Sequence, residues 1–85
     1  MNVDPPRDGF SGPVKRSVTI AGHQTSISLE PIFWDALETA AADLALPLNA
    51  LVAAIDHARI QALDPPNLAS AIRTWLFDRH RPDTI

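Results

Sequence analysis

At 85 residues, with no cysteine and a net charge of −3, the chain has room for one small domain, or one domain and an arm, and for no disulfide framework or thiolate metal site. The opening MNVDPPRDGF lacks the basic and apolar regions of a signal peptide, so a cytoplasmic location is expected. The alanine-rich stretches are broken by Asp43, Pro47, Asp56 and Arg59 before they reach the roughly 20 apolar residues of a membrane helix, so no membrane partner is expected.

Residues 1–14 combine Pro5, Pro6 and Pro13 with Gly9 and Gly12 and show little periodic hydrophobicity, which reads as a flexible N-terminal arm. Next comes RSVTIAGHQTSISLEPIFW, residues 16–34. Val18 and Ile20 share one side of an extended chain, whereas Thr25, Ile27 and Leu29 have the opposite parity. An uninterrupted strand would bury one apolar set and expose the other, so a bulge or a turn must sit near Ala21-Gly22-His23. A two-residue hairpin at Ala21-Gly22 would set Ile20 opposite His23, Val18 opposite Thr25 and Arg16 opposite Ile27, returning all the apolar residues to one face. A bulge at Gly22 would instead leave residues 15–20 as an arm beside a single strand.

Pro31 suits a first helical turn, and Phe33, Leu37, Ala40, Ala41 and Leu44 recur at helical spacing, predicting a first helix over residues 31–45. Leu48, Leu51, Val52, Ile55, Ala58, Ala62 and Leu63 form an apolar stripe that predicts a second helix over residues 47–63. The prolines of DPPN end it. Asn67 is placed to cap a third helix, LASAIRTWLFDRH, with Leu68, Ile72, Trp75 and Leu76 on one face and Arg79, His80 and Arg81 at the end where cations suit the helix dipole. The chain therefore divides into an arm (1–14), a core domain (15–63) and a C-terminal helical extension (64–85). It is mostly α with a short β segment. A lone strand ahead of helices leaves its backbone groups unpaired, and the nearest identical partner is a second copy of itself.

Charge is unevenly placed. A net negative chain is mildly unsuited to nucleic acid, yet no acid occurs between Asp8 and Glu30, where Lys15, Arg16 and His23 lie. The segment TSISLEPIFWDALETAAADLALPLNALV, with its alternating strand, a helix opened at EP, the turn LALPLN and a helix starting LNALV, resembles the ribbon-helix-helix family of small bacterial DNA-binding repressors and antitoxins. RSVTIAGHQTSISLEPIFWDAL together with LNALVAAID and NLASAIR extends the likeness to about residue 80, toward a group of short ribbon-helix-helix proteins.

That resemblance implies a homodimer whose strands pair between chains as an antiparallel ribbon in the major groove of double-stranded DNA. Ile27 and Leu29 would then face the core, and Gln24, Ser26 and Ser28 the bases. Glutamine can pair with an adenine edge in bidentate fashion, and serine hydroxyls can donate or accept. The start of the second helix, Leu48, Asn49 and Ala50, would hold a phosphate on its free amides. With a bulge at Gly22, Lys15 and Arg16 would lie near phosphates. Two positions depart from the family's pattern: Ala45 stands where the helix-helix turn commonly has glycine, and Pro47 where a serine cap is common. With a hairpin, the dimer's sheet would have four strands and span about 14 Å across its backbones, against a major groove about 12 Å wide.

Enzyme chemistry finds no support. His23, His57 and His80 are far apart, no histidine pair has the i, i+4 spacing of a helical metal site, and there is no glycine-rich phosphate loop, so no cofactor, metal or catalytic residue is assigned. Trp34, Trp75 and Phe77 read as core or interface aromatics, with Trp75 and Phe77 the candidates for a protein-binding patch. Two functions are compatible with these residues. One is a DNA-binding transcriptional regulator. The other is an antitoxin-like or adaptor-like interaction module that uses the dimer scaffold and the C-terminal helix to hold a protein partner.

Overall fold

A computed structural model describes residues 1–82. Two strands, β1 (Val14–Ile20) and β2 (His23–Leu29), are followed by helices α1 (Pro31–Asp43), α2 (Leu48–Ile60) and α3 (Leu68–Arg79). The phase slip is resolved by a hairpin, not by a bulge with residues 15–20 as an arm. Ala21 (φ 50°) and Gly22 (φ 82°) both take positive φ, the signature of the type I′ turn whose twist matches two antiparallel strands. The register is continuous, from Ile20 opposite His23 to Val14 opposite Leu29. β2, which a bulge would have left without a partner in its own chain, pairs with β1.

The helices close against one face of this hairpin. α2 packs beneath β1, and α3 beneath β2 with α1 beside it. Val18, Ile27 and Leu29 from the strands meet Trp34, Leu37, Ala40 and Ala41 from α1, Leu51, Val52 and Ile55 from α2, and Ile72 and Leu76 from α3; all twelve are between 0 and 6% exposed. At about 1.5–3 kcal/mol for each large aliphatic side chain taken out of water, this cluster is the main source of stability. No polar or charged residue is buried with it among the described residues. The third helix is thus an integral wall of the core.

Helix limits depart from the sequence reading where backbone chemistry intervenes. α1 stops at Asp43 rather than 45 because Ala45 turns to φ 55°; the Ala45 N–H then bonds to the Ala42 carbonyl (3.0 Å) and the Leu46 N–H to the Ala41 carbonyl (2.9 Å). This pair of bonds is a Schellman motif, built on alanine where glycine is the usual choice. α2 begins at Leu48, after Pro47, and ends at Ile60, short of 63. Arg59 holds Asp56 (2.8 Å) and also donates to the Pro66 carbonyl (3.1 Å), fastening the connection that follows. α3 opens as expected, with the Asn67 side chain accepting from the Ser70 N–H at 2.8 Å.

Candidate nucleic-acid interface

The hairpin has two unlike faces because side chains alternate along each strand. Val18, Ile20, Ile27 and Leu29 point toward the helices. The outward face consists of three cross-strand pairs, Lys15 with Ser28, Ser17 with Ser26, and Thr19 with Gln24, and all six residues are exposed. It carries hydroxyls, one amide and one ammonium group, and no acid. A two-residue turn makes Ile20 and His23 a hydrogen-bonded pair, so alternation leaves the N–H and C=O groups of these same six residues directed toward the two edges of the sheet.

Gln24, Ser26 and Ser28, singled out from the sequence as base-facing residues, therefore lie in a row on this outward face, with Lys15 beside Ser28. Arg16, grouped with Lys15 in the sequence reading, lies on the opposite face. Its Nη1 donates to Glu38 Oε1 at 3.1 Å, and its guanidinium carbon sits 4.5 Å from the centre of the Trp34 ring. Trp34 in turn donates from Nε1 to the Val14 carbonyl at 2.9 Å. Arg16 and Trp34 clamp β1 onto α1. Ser17 and Thr19 were missed as members of the face; the signal that could have found them was the hairpin register, which brings them opposite Ser26 and Gln24.

At the start of α2, the Pro47 carbonyl takes the N–H groups of Ala50 (3.0 Å) and Leu51 (3.1 Å). The amides of Leu48 and Asn49 have no hydrogen-bond partner among the described residues, and Pro47 supplies no side-chain cap. They form a small anion-favouring end, as helix starts do. The structure separates Trp75 from Phe77: Trp75 packs partly buried against the core with Arg79 5.6 Å from its ring, while Phe77 is 74% exposed. Phe77 instead borders a shallow groove of about 430 Å³ with Phe33, Arg73, Thr74, Asp78 and Arg81.

Most cations are already neutralised. Arg16 pairs with Glu38, Arg59 with Asp56, Arg73 with Glu30, Arg79 with Asp43 and Arg81 with Asp78, all within 3.2 Å. Of the seven lysines and arginines, Lys15 and Arg7 have no acid partner among the described residues. Glu30 is held below the ordinary glutamate range by a backbone hydrogen bond first and by Arg73 second, against the opposing effect of partial burial. Among the described residues there is no group of three or more His, Asp or Glu side chains able to hold a metal ion, and no single helix long and apolar enough to cross a membrane.

A family model described as a ribbon-helix-helix domain matches residues 13–80, which takes in the whole hairpin and all three helices. The chain belongs to the ribbon-helix-helix family. No curated protein and no solved structure matches it. Ribbon-helix-helix domains are in general DNA-binding regulators and antitoxins, a family of regulatory rather than catalytic proteins that typically dimerise. In this ribbon-helix-helix chain the strand that leads into α1 is β2, and β1 is a second strand of the same chain laid alongside it.

Proposed function

We propose that this protein is a DNA-binding transcriptional regulator that contacts the major groove with the outward face of its hairpin and works as a homodimer in the bacterial cytoplasm. The observation that carries this is the face itself: six exposed polar side chains without an acid, on a rigid two-stranded support, in a family of DNA-binding regulators. Gln24 has the paired donor and acceptor that fit an adenine edge, and the hydroxyls of Ser26 and Ser28 serve either role. Lys15 and the free amides of Leu48 and Asn49 are assigned to phosphates, where they position the protein without reading sequence, whereas the Ala50 amide is already bonded to the Pro47 carbonyl. Arg16, committed to Glu38 and Trp34, is assigned to holding the ribbon.

The test is a salt series of binding to random duplex DNA. Affinity must fall as salt rises, with a log-log slope near −0.9 for each phosphate neutralised. Because so few cations are uncommitted, the slope should be shallow, about −2 to −4 for two chains. Salt-independent association, or none, would remove the DNA function. A protein-interaction module is the alternative, favoured by one observation: most cations are neutralised internally while Phe77 on α3 stands exposed beside an apolar groove. Failure to bind DNA together with loss of a co-purifying partner on Phe77→Ser would establish it.

A further inference from the structure

We infer that the groove between α1 and α3 is a binding site for a small aromatic carboxylate, with the rings of Phe33 and Phe77 as its walls and the Arg73 guanidinium as its anion hold. None of the residues lining it belongs to the hairpin, so the site stands independently of the DNA-binding function proposed above. It arises from spacing along α3. Arg73, Phe77 and Arg81 recur every four residues, as do Thr74 and Asp78, which gathers all five on one side of the helix and its immediate continuation. Phe33, in the first turn of α1, completes the lining of a cavity of about 430 Å³.

Size and walls select the class of ligand. The volume lies within the roughly 300–1,000 Å³ of small-molecule sites. The other large exposed apolar side chains, Ile32, Leu44, Leu46 and Ile60 among them, are not part of its walls. Apolar surface in the groove therefore ends at two rings, which suits a ligand of one or two fused rings, whereas a stable protein partner covers about 800 Å² on each side. Phe33 is half-buried against the core and Phe77 stands exposed, so a planar ligand can stack on either at ring-centre separations of about 4.5–7 Å.

Charge selects the carboxylate. The Arg73 guanidinium carbon sits 5.6 Å from the centre of the Phe33 ring, within reach of a cation–π contact. Its Nε and Nη2 donate to Glu30 Oε1 at 3.1 and 3.0 Å, and Nη2 also donates to the Ser28 carbonyl at 3.5 Å, so the planar fork is held in one orientation. Nη1 has no partner among the described residues, which leaves its two N–H groups for a charge-assisted bond to a ligand carboxylate. Thr74 adds a hydroxyl to the lining, and the one acid there, Asp78, is neutralised by Arg81 at 2.6 Å. An uncharged aromatic compound would meet the same rings and leave Nη1 unanswered.

The experiment is a titration of the isotope-labelled full chain with naphthoate, followed through amide chemical shifts by NMR and repeated with uncharged naphthalenemethanol, with an acidic peptide, and on Arg73→Lys and Phe77→Ser. Phe77→Ser changes an exposed side chain, so the fold should survive it even where Arg73→Lys disturbs the contacts to Glu30, and melting curves check both. The expected result is saturable shifts at Phe33, Thr74 and Phe77, with affinity about tenfold weaker for the alcohol and for Arg73→Lys and about fivefold weaker for Phe77→Ser. Equal binding of the alcohol would overturn the carboxylate hold. Absence of saturable shifts, shifts elsewhere on the chain, or unchanged affinity in both variants would overturn the site. Groove shifts produced by the acidic peptide and not by naphthoate would assign the groove to a protein partner and overturn the proposal as well.

Discussion

Gly22→Ala tests the hairpin on which the proposed DNA-reading surface depends. At this position φ is +82°, and a Cβ added to the backbone would meet nothing within 4 Å, so the substitution introduces no clash and its whole cost is conformational. An L-residue held in the left-handed region loses about 1–2 kcal/mol. Replacing glycine also removes freedom from the unfolded chain, which returns about 0.4–1 kcal/mol to the folded state. The net expectation is destabilisation of about 1 kcal/mol, a fall in Tm of about 4–8 °C for a domain of this size. Thermal melting followed by circular dichroism measures it, and Gly12→Ala is the control, because Gly12 has equally open surroundings but no positive φ. Ala21→Asn should act in the opposite direction, since asparagine tolerates φ near +50° better than alanine does. If Gly22→Ala melts with the parent and with Gly12→Ala, the two-residue turn is wrong, and the register that gathers Lys15, Ser17, Thr19, Gln24, Ser26 and Ser28 on one face falls with it.

Ala45→Gly should stabilise the protein by about 0.5–1 kcal/mol, as the same strain of about 1–2 kcal/mol is relieved at φ 55° and part of it is lost to the freer unfolded chain; a Tm at or below that of the parent would contradict the Schellman geometry. Glu30→Gln should lower stability at neutral pH and cease to do so in acid. The carboxyl is held below its ordinary value in the fold, so its contribution is complete above the ordinary glutamate range and disappears as pH falls through the lowered value. Denaturant midpoints of the two proteins from neutral pH down to acid check this, and a difference that persists after Glu30 is protonated would show that the charge of its carboxylate is not what stabilises the fold.

Much of this architecture was legible because apolar spacing and helix punctuation are local properties. Pro31, Asn67 and the DPPN segment marked helix limits by what their backbones and side chains can do, and the core residues Leu37, Leu51, Val52, Ile55, Ile72 and Leu76 followed from helical periodicity. The parity change between Ile20 and Thr25 showed that the strand was interrupted. It did not choose between a turn and a bulge, because Ala21 is not the asparagine or aspartate that announces a type I′ turn and takes its positive φ without a sequence signal. Trp34 reads from the sequence as a core or interface aromatic, but its bond to Val14 joins residues 20 positions apart and is invisible to local pattern. Arg16 was misgrouped for a related reason: adjacent residues on a strand point to opposite faces, so a basic dipeptide is not one patch. Leu44 and Leu63 fit their helical stripes yet finish exposed, because both helices end before reaching them.

Trp34 has a practical consequence for following this molecule in solution. Its indole is 3% exposed, bonded to the Val14 carbonyl and covered by the Arg16 guanidinium, so two of its contacts come from β1. The ring is a built-in fluorophore whose surroundings change when that strand lifts from α1: its emission should move to longer wavelength as water reaches it. The second of the two tryptophans, Trp75, can be silenced with Trp75→Phe, leaving one emitter at the junction of strand and helix. Movement of the hairpin on meeting a duplex or a protein partner can then be timed without attaching a dye to the surface under study.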